Sequence, residues 1–256
     1  MRESISGDVH IVEIPLGSTP DLARVAALAP ERYPFLLESS AGAAAQSRFD
    51  MLLGFPGDTL TVTAQDAHTD FFAALDQRAA EQRRSHVPGL PFVGGWFIYL
   101  GYEMAGRVEP SLSLASRRHD TLPDALAVRC PAAFVHDRLE QKLYLVAEST
   151  HADALRIMRA DLEQGMQSTL SAQSLPAWWQ EQPPSIYMDN VERARELIHA
   201  GDVFQANLSR VWHGRMQHDV APARVYAALR AANPAPFSGL VQWGEAALVC
   251  SSPERL

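Results

Sequence analysis

Residues 123–147, PDALAVRCPAAFVHDRLEQKLYLVA, hold two apolar runs, 123–136 and 142–147, on either side of Asp137-Arg138-Leu139-Glu140. Apolar runs of strand length closed by a polar turn read as two antiparallel strands joined in a hairpin. The pattern recurs along the chain. Runs 237–243 and 246–250 flank Gly244-Glu245, and runs 47–55 and 58–64 flank Pro56-Gly57-Asp58, both built from turn-forming residues. Thr59-Leu60-Thr61-Val62-Thr63 alternates polar with apolar, as a sheet with one wet face requires. Further strand signals lie at 9–15 and 34–39. The run 92–102 is too apolar for an edge strand, and its Gly94-Gly95 pair marks a bulge or a close backbone approach.

Helical spacing appears between these runs. Over 70–84, Phe71, Leu75, Arg78 and Ala79 share a face, and 153–170 is helical by composition. Residues 171–188, with Ser171-Ala172-Gln173-Ser174, Pro176 and Pro183-Pro184, read as a linker and domain boundary. Asp189 and Glu192 have the spacing of a capping box, which opens a helix whose Val191, Ala194, Leu197 and Ile198 share a face and which Gly201 ends. A further helix over 221–232 is stopped by Asn233-Pro234. The hairpins and helices together predict an α+β fold with antiparallel sheets. Its last strand runs up to Ser251-Ser252-Pro253-Glu254-Arg255-Leu256 with nothing after it to cover the sheet edge, so the last domain is expected to be incomplete.

Composition limits the function. The 256 residues are 47% hydrophobic with a net charge of −8, enough apolar material for a large core and no concentrated basic surface. Non-specific nucleic-acid and anionic-membrane roles need such a surface and are disfavoured. Cys130 and Cys250 stand alone, as reduced structural thiols do, the start lacks a signal-peptide pattern, and no window is apolar enough for a membrane helix. A cytoplasmic location is expected. The phosphate-loop, dinucleotide, zinc-protease and serine-hydrolase motifs are missing from the sequence.

Chemistry must then come from short words at strand ends. Ser47-Arg48-Phe49-Asp50 places a guanidinium and a carboxylate two apart on one side of a strand, which by itself reads as a local salt bridge. In 201–208 Gln205 and Asn207 fall on one side of an extended segment, able to read a polar ligand or to satisfy a sheet edge. Glu254, between Pro253 and Arg255 after an apolar strand, would be partly desolvated with a cation alongside, opposed influences that can tune it for proton transfer, although by itself it reads as a surface ion pair.

Taken in order, Leu36-Leu37-Glu38-Ser39, Ser47-Arg48-Phe49-Asp50, Pro91-Phe92-Val93-Gly94-Gly95 with Tyr99-Leu100-Gly101-Tyr102-Glu103, the 201–208 word, Pro236-Phe237-Ser238 and Ser252-Pro253-Glu254-Arg255 resemble the chorismate-utilising enzymes from about residue 35 onward. Within them the Ser-Arg-Phe-Asp word looks like the aminodeoxychorismate branch, with anthranilate synthase component I as runner-up. The resemblance implies antiparallel sheets packed as a sandwich with helices on the outside. It also implies an N-terminal domain over 1–180 and the beginning of a chorismate-binding catalytic domain over 181–256. The implied reaction joins chorismate and ammonia into 4-amino-4-deoxychorismate on the route to para-aminobenzoate and folate. A glutamine amidotransferase subunit supplies the ammonia, and magnesium binds the substrate carboxylate.

Carried over residue by residue, Glu254 is the catalytic acid. Ser39, Gln46, Ser47, Arg48, Phe49, Pro236, Phe237 and Ser238 would line a tryptophan pocket, with Gln46 departing from a frequent tyrosine. The proline-isoleucine-lysine-glycine-threonine word that holds the family's covalent lysine does not occur in this sequence. The magnesium-binding glutamates of the family are missing with it. The chain alone is therefore expected to be inactive, and a non-catalytic tryptophan-binding or docking module is a further reading.

Overall fold

The computed structural model describes residues 2–40, 48–66, 69–82, 86–112, 122–171, 178–216 and 220–253. Its elements are β1 (Arg2–Ser6), β2 (Val9–Pro15), α1 (Leu22–Leu28), β3 (Phe35–Glu38), β4 (Phe49–Gly54), β5 (Thr59–Val62), α2 (Phe71–Glu81), β6 (Gly95–Leu100) and α3 (Ala105–Val108). After these come β7 (Ala125–Cys130), β8 (Ala132–Asp137), β9 (Lys142–Glu148), α4 (Ala154–Gln167), β10 (Trp178–Glu181), α5 (Pro184–Ala200), β11 (Trp212–Arg215), α6 (Pro222–Ala232), β12 (Phe237–Trp243) and β13 (Ala246–Ser252). The chain divides into two compact units, 1–172 with 221–256, and 173–220.

In the larger unit an eight-stranded sheet runs β1-β2-β9-β8-β4-β3-β12-β13, and a three-stranded sheet runs β5-β7-β6. Every pairing is antiparallel, and the α+β sandwich with outer helices is what the structure shows. Alternation along β8 explains the layers. Ala132 and Phe134 join a core with α1, α4 and α6, while Ala133 and Val135 point between the sheets, where they meet Phe97, Leu126 and Val128. A third core places Phe71 of α2 against Leu60, Val62, Ala125 and Ala127 on the far face of the smaller sheet.

Two hairpins stand as expected: β8 pairs with β9 from Asp137 opposite Lys142, and β12 with β13 from Trp243 opposite Ala246. The third does not. Strand β4 lies between β3 and β8, whereas β5 pairs with β7 in the other sheet. Residues 54–59 step between sheets beside Pro131, where the expected strand 123–136 also breaks into β7 and β8. The two crossings are tied by Gly57 N–H to Arg129 O and Arg129 N–H to Asp58 O, both 2.8 Å. Proline offers no N–H to a continuous ladder, so Pro131 is where β7 hands over to β8. The 92–102 run also departs from expectation. Its strand β6 is an edge strand, with Phe97 buried between the sheets and Ile98 and Leu100 exposed.

The smaller unit contains α5 and the β10–β11 ribbon, Trp178 facing Arg215 and Glu181 facing Trp212 in register. Helix α5 begins at Pro184, not at Asp189. Proline fits the first turn, where its missing N–H is not needed, and Glu192 instead pairs with Arg195 at 2.9 Å. Gly201 ends the helix at φ 80°, as anticipated. The expected linker thus holds β10 and the first turn of α5, with 172–177 outside the described residues. The 201–208 segment forms no strand, and Phe204 is 95% exposed. No described residue of this unit is buried. No described helix in the chain is long and apolar enough to cross a membrane.

Candidate functional site

A row of opposed residues crosses the eight-stranded sheet, Met51 beside Leu37, Leu37 beside Gly239, and Gly239 beside Cys250. Directly opposed residues share a face, and this face looks toward the smaller sheet. Glycine in the row contributes no side chain. The result is a cavity of about 460 Å³ whose walls include Leu37, Met51, Phe49, Phe237 and Cys250 from the large sheet and Phe97, Ile98 and Tyr99 from β6. One end is polar, lined by Glu38, Ser39, Pro236 and Ser238.

Backbone clips hold that polar end together. Ser40 N–H donates to Ala235 O at 2.9 Å, Ala235 N–H donates back to Ser40 Oγ at 2.9 Å, and the Ser40 and Ser238 hydroxyls are 2.8 Å apart. Segments separated by about 195 positions thereby become one wall. Behind it, on the helix-facing side of the sheet, the buried Glu38 carboxylate accepts from Tyr226 Oη at 2.6 Å and from Arg230 at 2.9 and 3.0 Å. Arg230 also reaches Asp21, the residue that caps α1. Burial, and then the Glu38 carboxylate, push the Tyr226 phenol up, so it remains a hydrogen-bond donor.

Of the residues anticipated for a pocket, Ser39, Phe49, Pro236, Phe237 and Ser238 converge on this one cavity. Arg48 meets it only through Phe49, over whose ring its guanidinium lies at 4.7 Å. The local Arg48–Asp50 salt bridge does not form. Arg48 binds Asp137 at 2.7 Å across the sheet, and Asp50 binds Arg138 at 2.7 Å and His136 at 3.0 Å. Strand alternation turns Asp50 toward the helix layer, away from its neighbour Phe49. Burial of Asp137 opposes ionisation, but the Arg48 guanidinium and the N–H groups of Glu140 and Leu139 outweigh it and hold the carboxyl below its ordinary value. Gln46, Ser47 and Glu254 lie outside the described residues.

Leu37, Met51, Phe97, Tyr99, Leu248 and Cys250 line the cavity without having been anticipated for it. Gly239 inside the apolar 237–243 run was the one local signal, since glycine in a strand leaves a gap or admits a close approach. The described residues do not fit a magnesium site, for no group of three or more His, Cys, Asp or Glu among them could hold a metal. The chain's one lysine, Lys142, begins β9 with Glu13 and Glu140 at 3.9 and 4.0 Å, and it is not part of the cavity wall.

Comparison with known proteins agrees with this architecture. Residues 33–256 match the family model described as chorismate binding enzyme. Anthranilate synthase component 1 of Thermus thermophilus is 30% identical over 238 residues, 87% of this chain and 50% of that protein. Aminodeoxychorismate synthase component 1 of Escherichia coli is 28% identical over 239 residues, 87% of this chain and 51% of that protein. The crystal structure of anthranilate synthase component I from Streptococcus pneumoniae TIGR4 superposes with a TM-score of 0.61 at 21% identity, covering 84% of this chain and 52% of that one, and shows the shared fold. The chain spans about half the length of these relatives. By a match over residues 33–256, it belongs to the chorismate binding enzyme family.

Proposed function

We propose that the chain is the part of an aminodeoxychorismate synthase component I that carries a tryptophan-binding cavity, together with the opening of its chorismate-binding catalytic domain over 181–256. The observation that carries this reading is the convergence of Ser39, Phe49, Pro236, Phe237 and Ser238 on one cavity with a polar end and an aromatic wall. An amino acid needs both, polar groups for its charged ends and aromatic surface for an indole. The Ser-Arg-Phe-Asp word at 47–50 favours the aminodeoxychorismate branch. Anthranilate synthase component I is the second reading, favoured by the 30% identity to the Thermus protein.

In the whole enzyme, chorismate and ammonia would give 4-amino-4-deoxychorismate, a glutamine amidotransferase subunit would deliver the ammonia, and magnesium would bind the substrate carboxylate. Hydroxide leaves a carbon poorly, so a positioned acid is needed, and Glu254 takes that role here. The covalent step asks for a lysine in the catalytic word, and Lys142 stands elsewhere, at a strand start beside two carboxylates. The smaller unit supports a larger assembly, since Trp178, Trp179, Phe204 and Trp212 are exposed on it and offer apolar surface to further parts of the enzyme.

Two outcomes follow for the purified 256-residue protein. Incubated with chorismate, ammonium and magnesium, it forms neither 4-amino-4-deoxychorismate nor anthranilate by chromatography; product above the enzyme-free blank would overturn the assignment of catalysis to segments outside this sequence. Expressed from its whole reading frame and given chorismate, ammonium and magnesium, the protein gives the amino-deoxy product, while anthranilate would select the second reading. The thiols test the cavity. Cys130 is fully buried and burial pushes its thiol up to about 12, whereas Cys250 is partly exposed at the cavity wall. A small alkylating reagent should label Cys250 alone in the native protein, and saturating L-tryptophan should slow that labelling at least several-fold, as followed by mass spectrometry. An unchanged rate would speak against occupancy of this cavity.

A further inference from the structure

Ser39 follows directly on β3 at the polar end of the cavity and is only 3% exposed, yet its Oγ has no hydrogen-bond partner among the described residues. A buried hydroxyl left unpaired is costly, so a group that completes its bonding would be held there. The Ser39 backbone is not loose. Its N–H donates to Asp50 Oδ1 at 3.0 Å, and the other Asp50 oxygen accepts from His136 Nδ1 at 3.0 Å and from Arg138 Nε at 2.7 Å. Asp50 and His136 face each other across β4 and β8, both buried on the helix-facing side of the sheet. Three donors from three places in the chain therefore fix both oxygens of one carboxylate, and that carboxylate fixes Ser39.

We propose that Asp50, clamped by His136 and Arg138, is a positioning residue that sets Ser39 for the polar end of a bound amino acid; this rests on the reading of the cavity as an amino-acid site. A purely structural need does not ask for this arrangement. Burying a carboxylate is costly even when it is paired, and apolar residues of similar volume often hold a core as well or better. Here the cost coincides with the one place where the clamp reaches the cavity. Glu38, the residue before Ser39, is clamped in the same manner by Tyr226 and Arg230, so the backbone entering Ser39 is fixed on both sides.

The test compares two probes, L-tryptophan and indole, by titration calorimetry. Asp50→Asn keeps the size of the side chain and can still accept the Ser39 N–H, but it turns the face toward Arg138 from acceptor to donor. Arg138→Gln weakens the same clamp from a partly exposed position and serves if Asp50→Asn does not fold. The expected result is a loss of about tenfold or more in L-tryptophan affinity for Asp50→Asn and a smaller loss for Arg138→Gln, with indole affinity within twofold of wild type. Equal losses for both probes would mean that Asp50 only supports the fold and would overturn the proposal. L-tryptophan affinity unchanged in both variants while wild type binds would overturn it as well. A wild-type protein that binds no L-tryptophan would instead remove the amino-acid reading of the cavity, and this inference with it.

Discussion

Glu148→Gln lowers the unfolding free energy by about 3 kcal/mol or more, because it strands a buried guanidinium. Arg129 and Glu148 side chains are 7% and 4% exposed and form an ion pair at the edge where the two sheets meet. Arg129 belongs to β7 of the small sheet and Glu148 ends β9 of the large one. The guanidinium also donates to Gln82 Oε1 at 2.6 Å and to the carbonyl oxygens of Gly95 and Cys130 at 2.7 and 3.2 Å. Space around the pair is fully used: Gly94 sits at φ +112°, and a Cβ there would collide with the Glu148 carboxylate. Removing the negative partner leaves the charge, among the described residues, with the neutral acceptors of Gln82, Gly95 and Cys130. At about 2–4 °C per kcal/mol for a domain of this size, the melting temperature should fall by roughly 6–12 °C. The double replacement Arg129→Met with Glu148→Leu should recover most of that loss, since neither charge is then buried. Urea unfolding reads both, and a single-variant loss under about 1 kcal/mol would contradict the assignment of this pair as the tie between the sheets.

Ser39→Trp should abolish L-tryptophan binding, a loss of at least a hundredfold in affinity, while leaving the protein folded. Ser39 is buried at the polar end of the cavity, and this space of about 460 Å³, which Ser39 lines, is open to an indole placed at that position. The new side chain would occupy the ligand's volume and remove the hydroxyl at once. Overpacking costs about 1–3 kcal/mol where no space exists, and the open cavity keeps the cost low here. Titration calorimetry on both proteins reads the binding, and circular dichroism reads the fold. Tryptophan binding retained in Ser39→Trp would place the ligand elsewhere.

The legible parts of the fold were those written locally. Asp137-Arg138-Leu139-Glu140 and Gly244-Glu245 each stand between runs that pair with one another, so turn chemistry and pairing agree. Pro56-Gly57-Asp58 has the same chemistry but carries the chain from one sheet to the other, and what decides this is the distant segment around Arg129 and Pro131. Period-two alternation likewise cannot name partners. Arg48 and Asp50 sit two apart, yet their ion partners, Asp137 and Arg138, lie nearly ninety positions away. For the cavity, Ser39, Phe49 and the 236–238 word were readable, because they stand at strand ends in recognisable words. Met51, Phe97 and Cys250 were not, because their place depends on the register that sets Gly239 opposite Leu37 and Cys250.

The proposed occupancy of the cavity between the two sheets by an amino acid is tested most directly by calorimetric titration of L-tryptophan into the wild-type 256-residue protein. One saturable site per chain, with the heat lost in Ser39→Trp, is the predicted result. No heat from the wild-type protein at millimolar L-tryptophan would contradict it.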